Sequence, residues 1–274
     1  MRKFLFSRIH YTGLFGGNWS EKIFSDLQEI ENSEGFVFAN GYEWSFSGIQ
    51  KQEIENNDYI IGKLIKINPE EERITIDEQT KEEKPYTTEN VKEKESFFMI
   101  DINAHFISFE ISKILTKKQF TEAFFKAFEK AEKPYEIEFD FTYDEEILVE
   151  RLKKLKKANS AHFKLKTTNP HAYEEFKEID ELFQKSGIDA SNLHFQPKKG
   201  ETLNITDQQS IIRQAISMSS AGYGGGTVYG EDISGKPFTV QTGENIIDKI
   251  EVSESKKDDE IKKTIIIKFN KKKK

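Results

Sequence analysis

Two hydrophobic periods divide this chain. Its first part alternates with a period of two, as strands do, and its second part mixes that period with the 3.6-residue spacing of helices. Lys3 to Ile9 reads as an opening strand, broken by Gly13, Gly16 and Gly17. Asn18 or Ser20 is placed to cap a short helix whose apolar stripe is Ile23, Phe24, Leu27 and Ile30, with Gly35 as its stop. From Phe36 to Ile114 short β-branched and aromatic runs follow: Phe36–Phe38, Tyr42–Phe46, Tyr59–Ile61, Leu64–Ile67 and Arg73–Ile76. Asn40-Gly41, Asn56 to Asp58 and Asn68-Pro69 read as the turns between them, which predicts a meander or small barrel. Glu78 to Glu95 is polar with mixed charge and reads as a long exposed loop. Phe97 to Ile111 reads as one long strand, with Asp101, Asn103 and His105 on one face.

Helical spacing takes over at Thr116, where Thr116 and Gln119 form a capping box ahead of an inner face of Phe120, Ala123, Phe124, Ala127 and Phe128. Tyr135 to Phe141 alternates as a strand. Asp144 caps a second helix with Leu148, Leu152 and Leu155 inward, and Ala161 to Lys166 is a further half-buried strand. Asn169-Pro170 opens a third helix through Tyr173, Phe176, Ile179 and Phe183, closed at Gly187. Leu193 to Phe195 is a short strand, and Thr206 with Gln209 is a second capping box. Ile246 to Val252 and Thr264 to Phe269 read as a hairpin around a charged turn at Lys256 to Asp259. The class is therefore α+β. Residues 1–112 are expected to form a β-rich domain with one short helix, and residues 113–274 an α/β domain with a Gly-rich loop and a C-terminal β-hairpin.

Composition narrows the chemistry. The absence of cysteine removes disulfides, thiolate catalysis and Cys-ligated metals. Only 36% of the residues are hydrophobic, yet 23 are Phe, which argues for a packed core rather than a disordered chain. The N-terminal apolar run is interrupted by Arg8, unlike a signal peptide, and no run approaches the ~20 apolar residues that span a bilayer. A soluble, cytoplasmic protein without membrane contact is expected. Heavy use of Lys, Ile, Asn, Phe and Glu suggests an AT-rich bacterial or phage genome.

No phosphate-loop, G-x-S-x-G or H-E-x-x-H motif occurs, and no cofactor is expected. A divalent metal nuclease is one reading, with Asp101, Asn103 and His105 as ligands if they share a face. A second nuclease constellation is Asp77 with Glu82 and Lys84. The net charge of −7 does not advertise nucleic-acid binding, so any such contact must use a local patch. The clearest patch is Arg151, Lys153, Lys154, Lys156, Lys157, Lys164 and Lys166, with no acidic residue among them, and with Lys153, Lys154 and Lys157 on the outer side of a helix.

The only glycine-dense run is Ser219 to Asp232. Its order, helix then glycines then strand, is the reverse of a phosphate-binding loop, and Gly222 suits a left-handed helix C-cap. Gly222, Tyr223 and Gly224, then five residues, then Gly230 resemble the Gly-rich loop of the RAMP proteins of CRISPR systems over about ten residues. Glu231 and Asp232 depart from that pattern, which has a hydrophobic residue and Gly there. The resemblance implies a ferredoxin-like RNA binder, and His10 lies where some RAMP endonucleases keep a catalytic His. Tyr223 and Tyr229 are candidates for stacking on bases.

Three expectations follow. The first is a non-catalytic binding or accessory protein of a bacterial or phage system, in phage defence or counter-defence. It would contact nucleic acid or a protein partner through the basic run and Gly222, Tyr223, Gly224 and Tyr229. The second is a RAMP-like RNA-binding protein or metal-independent ribonuclease, and the third the divalent-metal nuclease. A homodimer extended through the Ile-rich C-terminal hairpin is the expected assembly.

Overall fold

The computed structural model describes residues 1–12, 19–76, 79, 81, 83–168, 174–242 and 246–272. Strand β1 (Arg2–Thr12) and helix α1 (Trp19–Asn32) precede β2 (Val37–Ala39), β3 (Tyr42–Ile54), β4 (Asn57–Ile76), β5 (Glu83–Asp101) and β6 (Phe106–Ile111). Then come α2 (Lys117–Lys130), β7 (Glu136–Phe141), α3 (Glu145–Leu152), β8 (Leu155–Lys166), a 3-10 turn (Glu174–Phe176), α4 (Lys177–Ser186) and β9 (Ala190–Phe195). The chain ends with α5 (Ile211–Ser220), β10 (Gly224–Asp232), β11 (Pro237–Gln241), β12 (Lys249–Val252) and α6 (Asp258–Lys272). A curled antiparallel half-barrel followed by alternating helices and strands makes the class α+β. Among the described residues no helix is long and apolar enough to cross a membrane.

Contacts group the residues differently from a linear cut at residue 112. One compact unit takes Met1–Phe4, Tyr11–Glu138 and Glu251–Ile265, and the other takes Leu5–His10, Phe139–Ile250 and Ile266–Lys274.

In the first unit β6, β5, β4, β3 and β2 are successive antiparallel neighbours. Asn40 and Gly41, both at positive φ, make the tight β2–β3 turn that the Asn-Gly pair predicts. The runs expected as three strands between Tyr59 and Ile76 are one strand, and Asn68-Pro69 is no turn. The expected loop at Glu78 to Glu95 is largely the partner strand, paired from Ile76↔Glu83 through Ile67↔Lys92. Its polarity fits the lack of a third strand alongside among the described residues: the pairing of β3 with β4 reaches only as far as Ile67. Core packing is aromatic, with Phe109 stacked on Phe120 at 4.0 Å and Phe46 edge-on to Phe124 at 5.2 Å. Helix α2 opens on the Thr116 and Gln119 capping box and buries the five residues its sequence predicts. Helix α1 begins at Trp19, so Ser20 lies inside it; Gly13, Gly16, Gly17 and Asn18 lie outside the described residues.

Asp26 of α1 is the polar centre of this unit. Its buried carboxylate accepts from the Tyr135 hydroxyl and pairs with Lys133 at 3.1 Å and Lys22 at 3.2 Å. Burial alone would raise its pKa, but the hydrogen bonds from Tyr135, Lys133 and Lys22 outweigh burial and hold it below the ordinary value. A depressed carboxyl stabilises the fold above its unfolded pKa and loses that contribution as pH falls through the folded one. Acid unfolding followed by fluorescence is therefore expected to lose part of its steepness below about pH 4 in Asp26→Asn. An unchanged acid profile would contradict this assignment.

In the second unit β11, β10, β8 and β9 form a four-stranded antiparallel sheet. One face packs on α3, α4 and α5: Ala161, Phe163, Leu165, Val228 and Val240 meet Leu148, Leu152, Ile179, Phe183, Ala215 and Ile216. Asp144 caps α3 as expected, and Gly187 closes α4 in the left-handed conformation. Asn169, Pro170 and Tyr173 lie outside the described residues. Helix α5 is capped by Ser210, whose side chain accepts from Arg213 N, rather than by Thr206. The reason is a preceding turn, in which Asn204 accepts from Asp207 N and Asp207 from Gln209 N.

The second arm of the expected C-terminal hairpin is a helix. Ile261, Ile265 and Phe269, four apart, are all buried in α6, while Asp258 to Glu260 open it and Lys271 and Lys272 close it, as the helix dipole favours. The sheet-extending dimer loses that edge with it.

Candidate functional site

The outer face of the four-stranded sheet carries the site. Period two along β8 sends Ala161, Phe163 and Leu165 into the core and leaves His162 and Lys164 exposed, with Lys166 half-buried. On β9 the same rule exposes Asn192 and His194, and on β10 it turns Gly225, Thr227 and Tyr229 outward. Register then sets neighbours: His162 opposes His194 and Thr227, while Lys164 opposes Asn192 and Gly225. The His162 and His194 rings lie 3.9 Å apart, and Tyr229, 44% exposed, stands edge-on to His162 at 5.8 Å. An aromatic row thus crosses β9, β8 and β10.

Beside the row is a cleft of about 640 Å3 lined by His162, Lys164, Lys166, Asn192 and His194 on one side and Gln241 and Thr242 on the other. Its floor is Gly224 to Gly226, backbone without side chains. Among the described residues Asp140 is the one carboxylate in the lining, and it already pairs with Lys166 at 2.8 Å. The remaining charge is Lys164, so the cleft is cationic in an acidic chain.

Behind the glycine floor the chain end of α5 is pinned. Gly222 is left-handed at φ 84°, and Tyr223 N donates to Met218 O at 3.1 Å, closing the helix as the sequence predicts. His10 Nε2 donates to Gly222 O at 3.0 Å and lies 3.3 Å from Asp140 Oδ2. Burial holds the imidazole below its ordinary pKa in spite of the Asp140 charge. Tyr223 is 1% exposed, with the Arg8 guanidinium 4.0 Å from its ring centroid and Phe176 at 5.8 Å. It is an anchor inside the unit, so its expected stacking on bases is corrected: no face of the ring is open.

The remaining candidates divide. Lys164, Lys166 and Gly224 line the cleft and Tyr229 flanks it, because the basic run and the glycine run are paired strands from Gly224↔Leu165 to Asp232↔Leu155. Arg151, Lys153, Lys154, Lys156 and Lys157 do not line it. The helix expected to carry them ends at Leu152, because pairing with β10 draws the chain into β8 from Leu155 onward. Lys156 and Lys157 are strand residues, Lys157 opposite Glu231, and Lys154 is within 3.8 Å of Glu150. The expected glycine loop is likewise strand β10 from Gly224 on.

The metal reading loses its premise. Asp101 ends β5 and Phe106 starts β6, so Asn103 and His105 lie in the connecting turn and not on a shared strand face; Asp101 accepts from Ala104 N there. Among the described residues no three His, Asp or Glu side chains are grouped to hold a metal ion. Asp77 and Glu82 lie outside the described residues. His162, His194, Asn192 and Thr242 were missed in sequence, although alternation around His162 and His194 marks both as outward.

No curated protein matches this chain in sequence. The family model described as a domain of unknown function, DUF4747, matches residues 21–271, nearly the whole length, and the chain belongs to that family.

Proposed function

We propose that the outer face of the β11-β10-β8-β9 sheet binds single-stranded nucleic acid and that the chain is a non-catalytic binding protein. The observation that carries this is the row of His194, His162 and Tyr229 beside a cationic cleft with a glycine floor. Every base offers a π-face, so a ring platform with a cation alongside suits a strand without demanding a sequence. The glycines let a sugar or base approach the backbone, and the Asn192 and Gln241 amides supply donors and acceptors at the rim.

Fluorescence anisotropy with short labelled RNA and DNA oligonucleotides over a salt series tests this. Stacking is worth about 1–3 kcal/mol per base, so Tyr229→Ala or His162→Ala is expected to weaken binding roughly 5- to 150-fold. Lys164→Ala is expected to reduce the slope of log K against log salt by about 0.7, the value for one phosphate contact on a single strand. Absence of binding to both oligonucleotides at low salt would overturn the proposal in favour of a protein partner.

A further inference from the structure

The first unit contains a cleft of about 740 Å3 whose chemistry is independent of the sheet face. Its wall holds four carboxylates, and each already has a cation. Arg2 makes a two-pronged contact with Glu110, at 3.1 and 2.8 Å, and reaches Asp258 at 3.4 Å. Glu95 is held by Lys63 at 2.9 Å and by Lys92, and those lysines keep its pKa below the ordinary value. Glu254 takes the Met1 amine at 2.5 Å.

Three further lysines line the same cleft: Lys3 and Lys94, both half-buried, and Lys113. Among the described residues none of the three makes an ion pair with a carboxylate, and only Lys94 stands near enough to one to act on it: behind the Met1 amine, it helps hold the exposed Glu254 carboxyl below its ordinary pKa. Like charges gathered in a cleft repel one another, and an anion between them removes that cost. The guanidinium of Arg2 is already engaged, so the available donors are ammonium point charges. Such donors suit tetrahedral oxyanions and give no preference for a planar carboxylate. No aromatic side chain lines the cleft among the described residues, so nothing there would hold a base.

We propose that this cleft binds a compact polyphosphate through Lys3, Lys94 and Lys113. Titration calorimetry of the full chain with tripolyphosphate tests it. Saturable one-to-one binding is expected, weakened at least ~tenfold in Lys3→Ala/Lys94→Ala/Lys113→Ala, since hydrogen bonds to charged groups are lost. The milder pair Lys3→Gln/Lys94→Gln should show the same direction. A control, Lys153→Ala/Lys154→Ala/Lys156→Ala, removes the same charge from the other unit and should keep full affinity. Lack of saturable binding by the parent chain, or an equal loss in the control, would overturn the proposal. Neither outcome bears on oligonucleotide binding, which uses other residues.

Discussion

Asp248→Asn is expected to destabilise the chain by about 3 kcal/mol or more, read as a lower midpoint in urea. Asp248 is 1% exposed. Its backbone is fixed in a ladder, where Asp248 N donates to Thr142 O at 2.9 Å and Asp248 O accepts from Phe6 N at 3.2 Å. The carboxylate therefore cannot move to water. It is held by Lys268 at 2.7 Å and by Lys272, whose Nζ also donates to Tyr143 O at 2.9 Å. Neutralising the central anion leaves two largely buried ammonium groups facing each other, and the cost of that arrangement exceeds the gain from desolvating one fewer charge. The ion cluster as such need not be stabilising. Replacing all three members, Asp248→Leu with Lys268→Met and Lys272→Met, should recover much of what Asp248→Asn loses, since no charge is then stranded. Equal midpoints for Asp248→Asn and the parent chain would show that the lysines find solvent without it.

The same helix shows where sequence reading failed and why. Thr264 to Ile267 is β-branched throughout, so intrinsic propensity points to a strand. The burial of Ile261, Ile265 and Phe269 follows a spacing of four, and acidic and basic residues sit at the correct ends. Propensity and period conflict in this segment, and tertiary burial together with the end charges settles it as a helix. Local signals, by contrast, were legible. The Thr116 and Gln119 capping box, the Asp144 cap, the Asn40-Gly41 turn and the left-handed Gly187 and Gly222 all act within a few residues of chain.

Non-local signals were not legible. Asn68-Pro69 looks like a turn until β5 supplies Val91 as the partner of Asn68. Lys164, Lys166 and Tyr229 could be placed outward by alternation, whereas the pairing of His162 with His194 depends on a register fixed by strands some thirty residues apart. Tyr223 looked available because it stands between glycines. Those glycines instead let the chain press close enough for Arg8 and Phe176 to cover the ring.

Two of the glycines are expected to be irreplaceable, and one is not. A Cβ on Gly230 would stand 1.9 Å from Lys157 O, and one on Gly224 would stand 2.0 Å from Lys164 O, with Gly224 also at φ 121°. Both obstacles are carbonyls of β8, held in the ladder with β10, so relief requires separating the two central strands. Gly230→Ala and Gly224→Ala should each cost more than about 3 kcal/mol, at the upper end of what overpacking produces. Gly225 differs. Its nearest obstacle is the Thr242 hydroxyl at 2.9 Å, a side-chain atom that can rotate at the loss of the hydrogen bond it accepts from Gly226 N, and its Cβ would rise from the cleft floor. Gly225→Ala should therefore leave thermal unfolding within a few degrees of the parent, while weakening oligonucleotide binding by narrowing the cleft. If Gly230→Ala melts with the parent chain, the close pairing of β8 and β10 is wrong. If Gly225→Ala is as stable as the parent and also binds as well, the glycine floor has no part in recognition. The run then serves strand packing alone, with the aromatic row carrying the ligand by itself.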